Sequence, residues 1–122
     1  MRTGLGRVRG LGSARDGVGH WWAQRVTAIA LVPLTLWFVF SVIGLAGAGQ
    51  DAVRAWIAAP VSTVLLLLLV FATFQHLSLG LQVVIEDYIR HEEARIALQL
   101  AQKFACVALG LACVVAVLRI AL

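Results

Sequence analysis

The residues best suited to chemistry lie together in one segment, Phe74–Tyr88, with the sequence FQHLSLGLQVVIEDY. His76 carries an imidazole, able to ligate a metal, accept or donate a hydrogen bond, or shuttle a proton. Gly80 omits a side chain one helical turn later, and Asp87 and Tyr88 add a carboxylate and a phenol that can donate. On a helix at 100° per residue, Gly80 is displaced from His76 by roughly 40° and Asp87 by roughly 20° after three turns. The imidazole, the gap and the carboxylate therefore share one stripe. Tyr88 is rotated by roughly 120° and sits about 18 Å further along the axis, which assigns it to a second site at the helix end. Gly80 leaves room beside the ring for something flat and large, or for a close neighbouring backbone.

The elements that must position these groups are apolar. Hydrophobic residues make up 61% of the 122-residue chain, and the mean hydropathy is +0.94, above the roughly 45–50% apolar content of soluble domains. Charges are segregated: residues 26–50 and 55–85 hold no Asp, Glu, Lys or Arg. Each run exceeds the roughly 20 residues needed to cross a hydrocarbon core of about 30 Å. A third run, 104–118, extends past Lys103 and Arg119, whose heads can reach the interface while their stems stay in lipid. The fold class is an all-α integral membrane protein with three spans, at about 26–48, 56–85 and 98–119, in a domain from 17 to 122. Residues 1–16, rich in Gly and Arg, read as a flexible cytoplasmic arm.

The net charge of +4 and pI near 10.1 do not mark nucleic-acid binding, because most basic residues flank the spans. Arg2, Arg7, Arg9, Arg15 and Arg25 precede the first, and Arg90, Arg95 and Lys103 lie between the second and third. The positive-inside rule places the N-terminus and that second connection in the cytoplasm. Ala46-Gly47-Ala48 resembles a signal-peptide cleavage site, but the apolar stretch before it is too long and two spans follow. Cys106 and Cys113, two helical turns apart, cannot bridge within one helix and read as small packing residues. Trp21 and Trp22 mark the membrane boundary, and Pro33 predicts a modest kink. The stretch 46–56 reads as the outer turn, with Trp56 an interfacial anchor opening the second helix and Pro60 in its first turns.

His76 then falls within hydrocarbon, a few residues from the middle of its span. An unpaired polar group there costs several kcal/mol, so the ring needs a partner. Each part has an ordinary explanation: an interhelical hydrogen bond for His76, a helix contact for Gly80, an interfacial cap with an aromatic anchor for Asp87-Tyr88. Together they suit haem, for which a neutral imidazole is a good axial ligand. His20 and His91 lie at or beyond the boundary, so a second ligand would come from another chain. A ring aimed at acyl chains, or meeting nothing but a neighbour's hydroxyl, would count against that role.

The segment HLSLGLQVVIEDY resembles the signature of the hydrophobic membrane-anchor subunit of succinate dehydrogenase, respiratory complex II, in its D-type form. His76, Gly80, Asp87 and Tyr88 match its spacing. GVGHWWAQRVTAIAL resembles the family's first helix, with Arg25 at the matching arginine, and the likeness covers about residues 17–90. The resemblance implies a three-helix bundle packed with a C-type cytochrome b anchor subunit that supplies the second ligand of haem b, with His76 the first. It implies that Tyr88 hydrogen-bonds ubiquinone, that Asp87 belongs to the quinone region, and that Arg25 meets a haem propionate or that same region. His20, Trp21 or Trp22 could border the pocket or simply anchor in headgroups. An iron–sulfur subunit and a flavoprotein subunit would carry the succinate chemistry, since this chain has neither a cluster-binding cysteine set nor a dinucleotide fingerprint. The location implied is a bacterial cytoplasmic membrane or a mitochondrial inner membrane. Three alternatives stand beside it: a fumarate reductase anchor, a haem-free structural or assembly protein, and a small transporter, the last disfavoured by a single buried ionisable group and no inverted repeat.

Overall fold

A computed structural model of the protein describes residues 12–122, with side chains from Gly19 onward. All regular structure among the described residues is helical: α1 (Gly12–Leu45), α2 (Gln50–Ala58), α3 (Pro60–Tyr88) and α4 (Glu92–Ala121). Three of these, over Gly19–Leu45, Pro60–Tyr88 and Glu92–Ala121, are long and apolar enough to cross a membrane. α3 is the centre of the bundle, packing on α1 along one side and on α4 along the other.

Local chemistry sets the ends. α1 runs through Pro33, whose ring lacks the N–H that would reach the Ile29 carbonyl. The chain reverses at Gly47 and Gly49, at φ 80° and 91°, a region closed to most side chains. The expected outer turn is then replaced in part by α2, which is amphipathic: Asp51, Arg54 and Ala55 are exposed while Val53, Trp56 and Ile57 are half-buried. Its Trp56 stacks on Trp37 of α1 at 5.4 Å between centroids and lies 6.2 Å from Phe38. Trp56 therefore does not open the second span, as the apolar pattern suggests. A break at Ala59 (φ −61°, ψ 131°) separates the helices, because the residue before proline is pushed out of the helical region and Pro60 is preorganised for the first helical position. The Thr63 hydroxyl closes this corner by donating to the Ile57 carbonyl at 2.6 Å.

One further boundary differs from the reading of the sequence. α1 starts at Gly12, so residues 12–16 of the expected arm are helical backbone, and residues 1–11 lie outside the described part. α4 starts at Glu92, where His91 is the N-cap: its Nδ1 accepts from the Ala94 amide at 3.3 Å, and Glu92 and Glu93 sit in the first turn against the positive end of the helix.

The core is thin. Leu66, Ala72, Leu79 and Cys106 are its buried hydrophobic residues, whereas Ile29, Phe40, Val61, Phe71 and Phe104 are all at least two-thirds exposed. Outward-facing apolar side chains of this kind are matched to lipid or to other spanning helices.

Candidate functional site

The imidazole of His76 is half-buried and turned toward α1. Its Nδ1 lies 3.0 Å from the Thr27 hydroxyl, a contact between residues 49 apart in sequence that joins the two helices within the apolar zone. Thr27 is 7% exposed. Its hydroxyl also reaches two carbonyls of its own helix, Ala23 at 2.8 Å and Gln24 at 3.1 Å. Nε2 of His76 makes no hydrogen bond with the described residues, so one ring nitrogen is tied to this chain and the other is not.

Gly80 lies on the same face of α3, one turn toward Tyr88, opposite Gln24. A methyl group placed there would find the Gln24 Nε2 as its nearest neighbour, at 3.8 Å, an ordinary contact. Packing within this chain therefore does not require glycine at 80, and the explanation by a close neighbouring backbone is not realised here. On α1 the facing stripe is His20, Gln24 and Thr27. Two of its atoms, His20 Nε2 and Gln24 Oε1, are buried without a hydrogen-bond partner among the described residues. Buried polar atoms of that kind ask for a donor, an acceptor or a water from outside the described contacts.

Of the remaining candidates, Asp87 and Tyr88 lie at the end of α3 and Arg25 lies on α1. Tyr88 is 79% exposed, and Asp87 is exposed beside it. Arg25 is exposed and lies over the Trp21 ring at 5.1 Å, a cation–π contact. Trp21 and Trp22 meet edge to face at 5.1 Å, both at least half exposed, as interfacial anchors would be. The structure thus brings His76 and Gly80 together with α1, and sets Asp87, Tyr88 and Arg25 near the surface without joining them to the histidine.

The α3–α4 side carries polar groups of a different kind. Ser78 donates to Gln102 Oε1 at 3.1 Å, Gln102 donates to Gln99 at 3.2 Å, and Gln99 donates to the Gln82 carbonyl at 3.0 Å. Lys103 donates to the Gln82 side chain at 3.4 Å, and Gln82 donates to Glu86 at 3.2 Å. The buried Cys106 thiol, 3.7 Å from Gln102 Oε1, joins this ladder as a weak donor, and both cysteines are free. A groove of about 360 Å³ runs beside it, lined by residues including Phe71, Phe74, Gln75, Ser78 and Gly110. His76 is not among its lining residues, so concavity and candidate ligand fall on different sides of α3.

Three spanning helices with one histidine pinned between the first two is an arrangement that can be compared with known proteins. A family model described as the succinate dehydrogenase/fumarate reductase transmembrane subunit matches residues 1–116. The chain belongs to this family. Among its relatives is the succinate dehydrogenase hydrophobic membrane anchor subunit of Rickettsia bellii, 34% identical over 96% of this chain and 94% of the relative. The subunit of the same name from Paracoccus denitrificans is 35% identical over 66% of this chain and 63% of its own. A succinate dehydrogenase membrane anchor subunit from Reclinomonas americana is 29% identical over 67% and 71%. Family membership and the three apolar helices make the protein a multi-pass protein of an energy-transducing inner membrane.

Two polar residues escaped the reading of the sequence. Thr27 is a short side chain inside the charge-free run 26–50, and Gln24 stands just before Arg25. Their spacing from His20, four and seven residues on, is the signal that could have found them, since it lays all three on one helical face.

Proposed function

We infer that the chain is a membrane-anchor subunit of a succinate:quinone oxidoreductase, supplying one ligand to haem b, part of a ubiquinone site, and a platform for the soluble subunits. The observation that carries this reading is the family match over residues 1–116. Among the described residues His76 hydrogen-bonds only the Thr27 hydroxyl, the outcome that counts against a ligand role, and the open Nε2 is what keeps that role available. Nδ1 is engaged by Thr27 at 3.0 Å, while Nε2 has no hydrogen bond among the described residues and would be the nitrogen that meets iron. A metal-bound histidine ordinarily has its other nitrogen fixed in this way. The donor set fits: one imidazole from α3, a side-chain gap at Gly80, and a second imidazole to come from a C-type partner subunit.

Bound haem would supply one-electron transfer within the anchor. The chain's own residues hold the imidazole in place, exclude water with the apolar faces of α1 and α3, and present Tyr88 at the surface. The exposed phenol would donate to a carbonyl of ubiquinone, which accepts two electrons and two protons in all. Asp87 would assist those protons or pair with a basic residue of the partner. Arg25, one residue from Gln24 and exposed, would meet a propionate or the quinone region once it leaves Trp21, since guanidinium pairs well with carboxylates. Flavin and iron–sulfur chemistry belong to the partner subunits. Direction is set by redox potentials and quinone type, so a fumarate reductase anchor would use the same parts.

The hydrogen bond to Thr27 also favours a second reading, in which His76 is a haem-free interhelical strut: a neighbour's hydroxyl is the partner that reading expects. Purification of the complex from wild type and a His76→Ala strain, followed by reduced-minus-oxidised spectra, separates the two. A b-type band lost in His76→Ala supports the ligand reading. Absence of the band in wild type, or its persistence in the variant, overturns it.

A further inference from the structure

The contact between Thr27 and His76 can run in either direction, and which one holds fixes the tautomer of the ring. A threonine hydroxyl has one proton and two acceptor lone pairs. That proton has acceptors on its own helix: the Ala23 carbonyl lies 2.8 Å away and the Gln24 carbonyl 3.1 Å away. A hydroxyl that donates to its own helix keeps a lone pair for the imidazole, and in that arrangement the proton of the 3.0 Å contact is on Nδ1 of His76. The ring's lone pair is then on Nε2, the nitrogen that meets none of the described residues.

We propose that Thr27 is a positioning residue that selects the Nδ1–H tautomer of His76 and so presents the Nε2 lone pair as the ligand. The proposal rests on His76 being a haem ligand, and it adds that α1 tunes the ligand as well as packing beside it. An Nδ1–H that donates to an oxygen makes the imidazole a stronger electron donor, which favours the oxidised iron. The opposite proton arrangement, with Thr27 donating to Nδ1, would leave Nε2 protonated and unable to coordinate. The two arrangements therefore separate a ligand from a strut at the level of one hydrogen atom. Ser serves as well as Thr in this role, because the acceptor oxygen and its bond to the Ala23 carbonyl are retained.

The test uses the whole complex carrying wild-type chain, Thr27→Val, Thr27→Ser or His76→Ala. Thr27→Val should raise the haem midpoint potential and move the low-spin ferric EPR signal, while Thr27→Ser returns both to wild type; a merely structural role for Thr27 would move neither. In complex with 15N-labelled histidine and the haem reduced, NMR should show His76 protonated at Nδ1 and not at Nε2, a measurement that needs no variant and so holds even if Thr27→Val fails to assemble. A potential and EPR signal unchanged in Thr27→Val, or a proton found on Nε2, overturns the proposal. If His76→Ala keeps the b-type band, the ligand reading beneath it falls instead.

Discussion

Gly80→Ala is the substitution that most sharply divides packing from ligand binding. In a helix interior alanine is favoured over glycine by about 1 kcal/mol. The added methyl would lie 3.8 Å from Gln24 Nε2, so nothing in this chain opposes that gain. Gly110 on α4 provides a matched control: a methyl there would meet the Phe74 ring at 3.6 Å, also an ordinary contact. By packing within the chain alone, both variants should be slightly more stable than wild type. If the gap beside His76 is filled by a flat macrocycle at van der Waals contact, a methyl at 80 overfills it, and overpacking of that kind costs about 1–3 kcal/mol. That corresponds to haem binding weakened by roughly 5- to 150-fold. The assay is haem per purified complex, measured with haem limiting, together with the thermal midpoint. Gly110→Ala should keep full haem and gain stability; Gly80→Ala should lose haem. Full haem content in both variants would refute the idea that the missing side chain serves the ligand, and would leave His76 without its most informative neighbour.

Other expectations follow from single contacts. Tyr88→Phe removes the hydroxyl of a side chain that is 79% exposed, so stability should be unchanged while KM for ubiquinone rises roughly two- to twelvefold, the worth of a hydrogen bond of about 0.5–1.5 kcal/mol; an unchanged KM removes Tyr88 from the quinone site. His91→Ala deletes the cap on the Ala94 amide, which should speed hydrogen exchange in the first turn of α4 by an amount equivalent to about 0.5–1 kcal/mol, with no effect on haem. Gln102→Leu dissolves the centre of the α3–α4 ladder. Hydrogen bonds between spanning helices average about 0.6 kcal/mol because the separated helices also find partners, so a small drop in the thermal midpoint is expected; loss of assembly would show that the ladder carries far more.

The three spans were legible because bilayer thickness imposes a length that charge-free runs reveal directly, and because lipid forbids any spanning element with open backbone groups. α2 was missed for the complementary reason. Nine residues with Asp51 and Arg54 on one side and Trp56 and Ile57 on the other are too short and too polar to register as a span. Their helix is decided by something no window along the sequence contains, the stacking of Trp56 on Trp37. The break at Ala59 was half legible, since Pro60 allowed either a bend or a start, and the tryptophan's docking on α1 settled it as a start.

The site divides along the same line. His76, Gly80, Asp87 and Tyr88 could be assigned to stripes because helical geometry acts within one element, and 100° per residue needs no knowledge of what faces it. Thr27 could not be assigned, because its importance is a relation between two helices 49 residues apart in sequence. An interhelical register in a membrane is set by small side chains and few polar contacts, which leave almost no trace in an apolar pattern. The contact it produces then does what the stripe alone cannot: it gives the two nitrogens of one imidazole different surroundings. A histidine with both nitrogens in lipid would be an unpaid desolvation cost, whereas one nitrogen held by Thr27 and one without a hydrogen bond among the described residues suits a strut and a ligand alike. What divides the two is whether the open nitrogen meets iron, and the spectrum of the His76→Ala complex reads that directly.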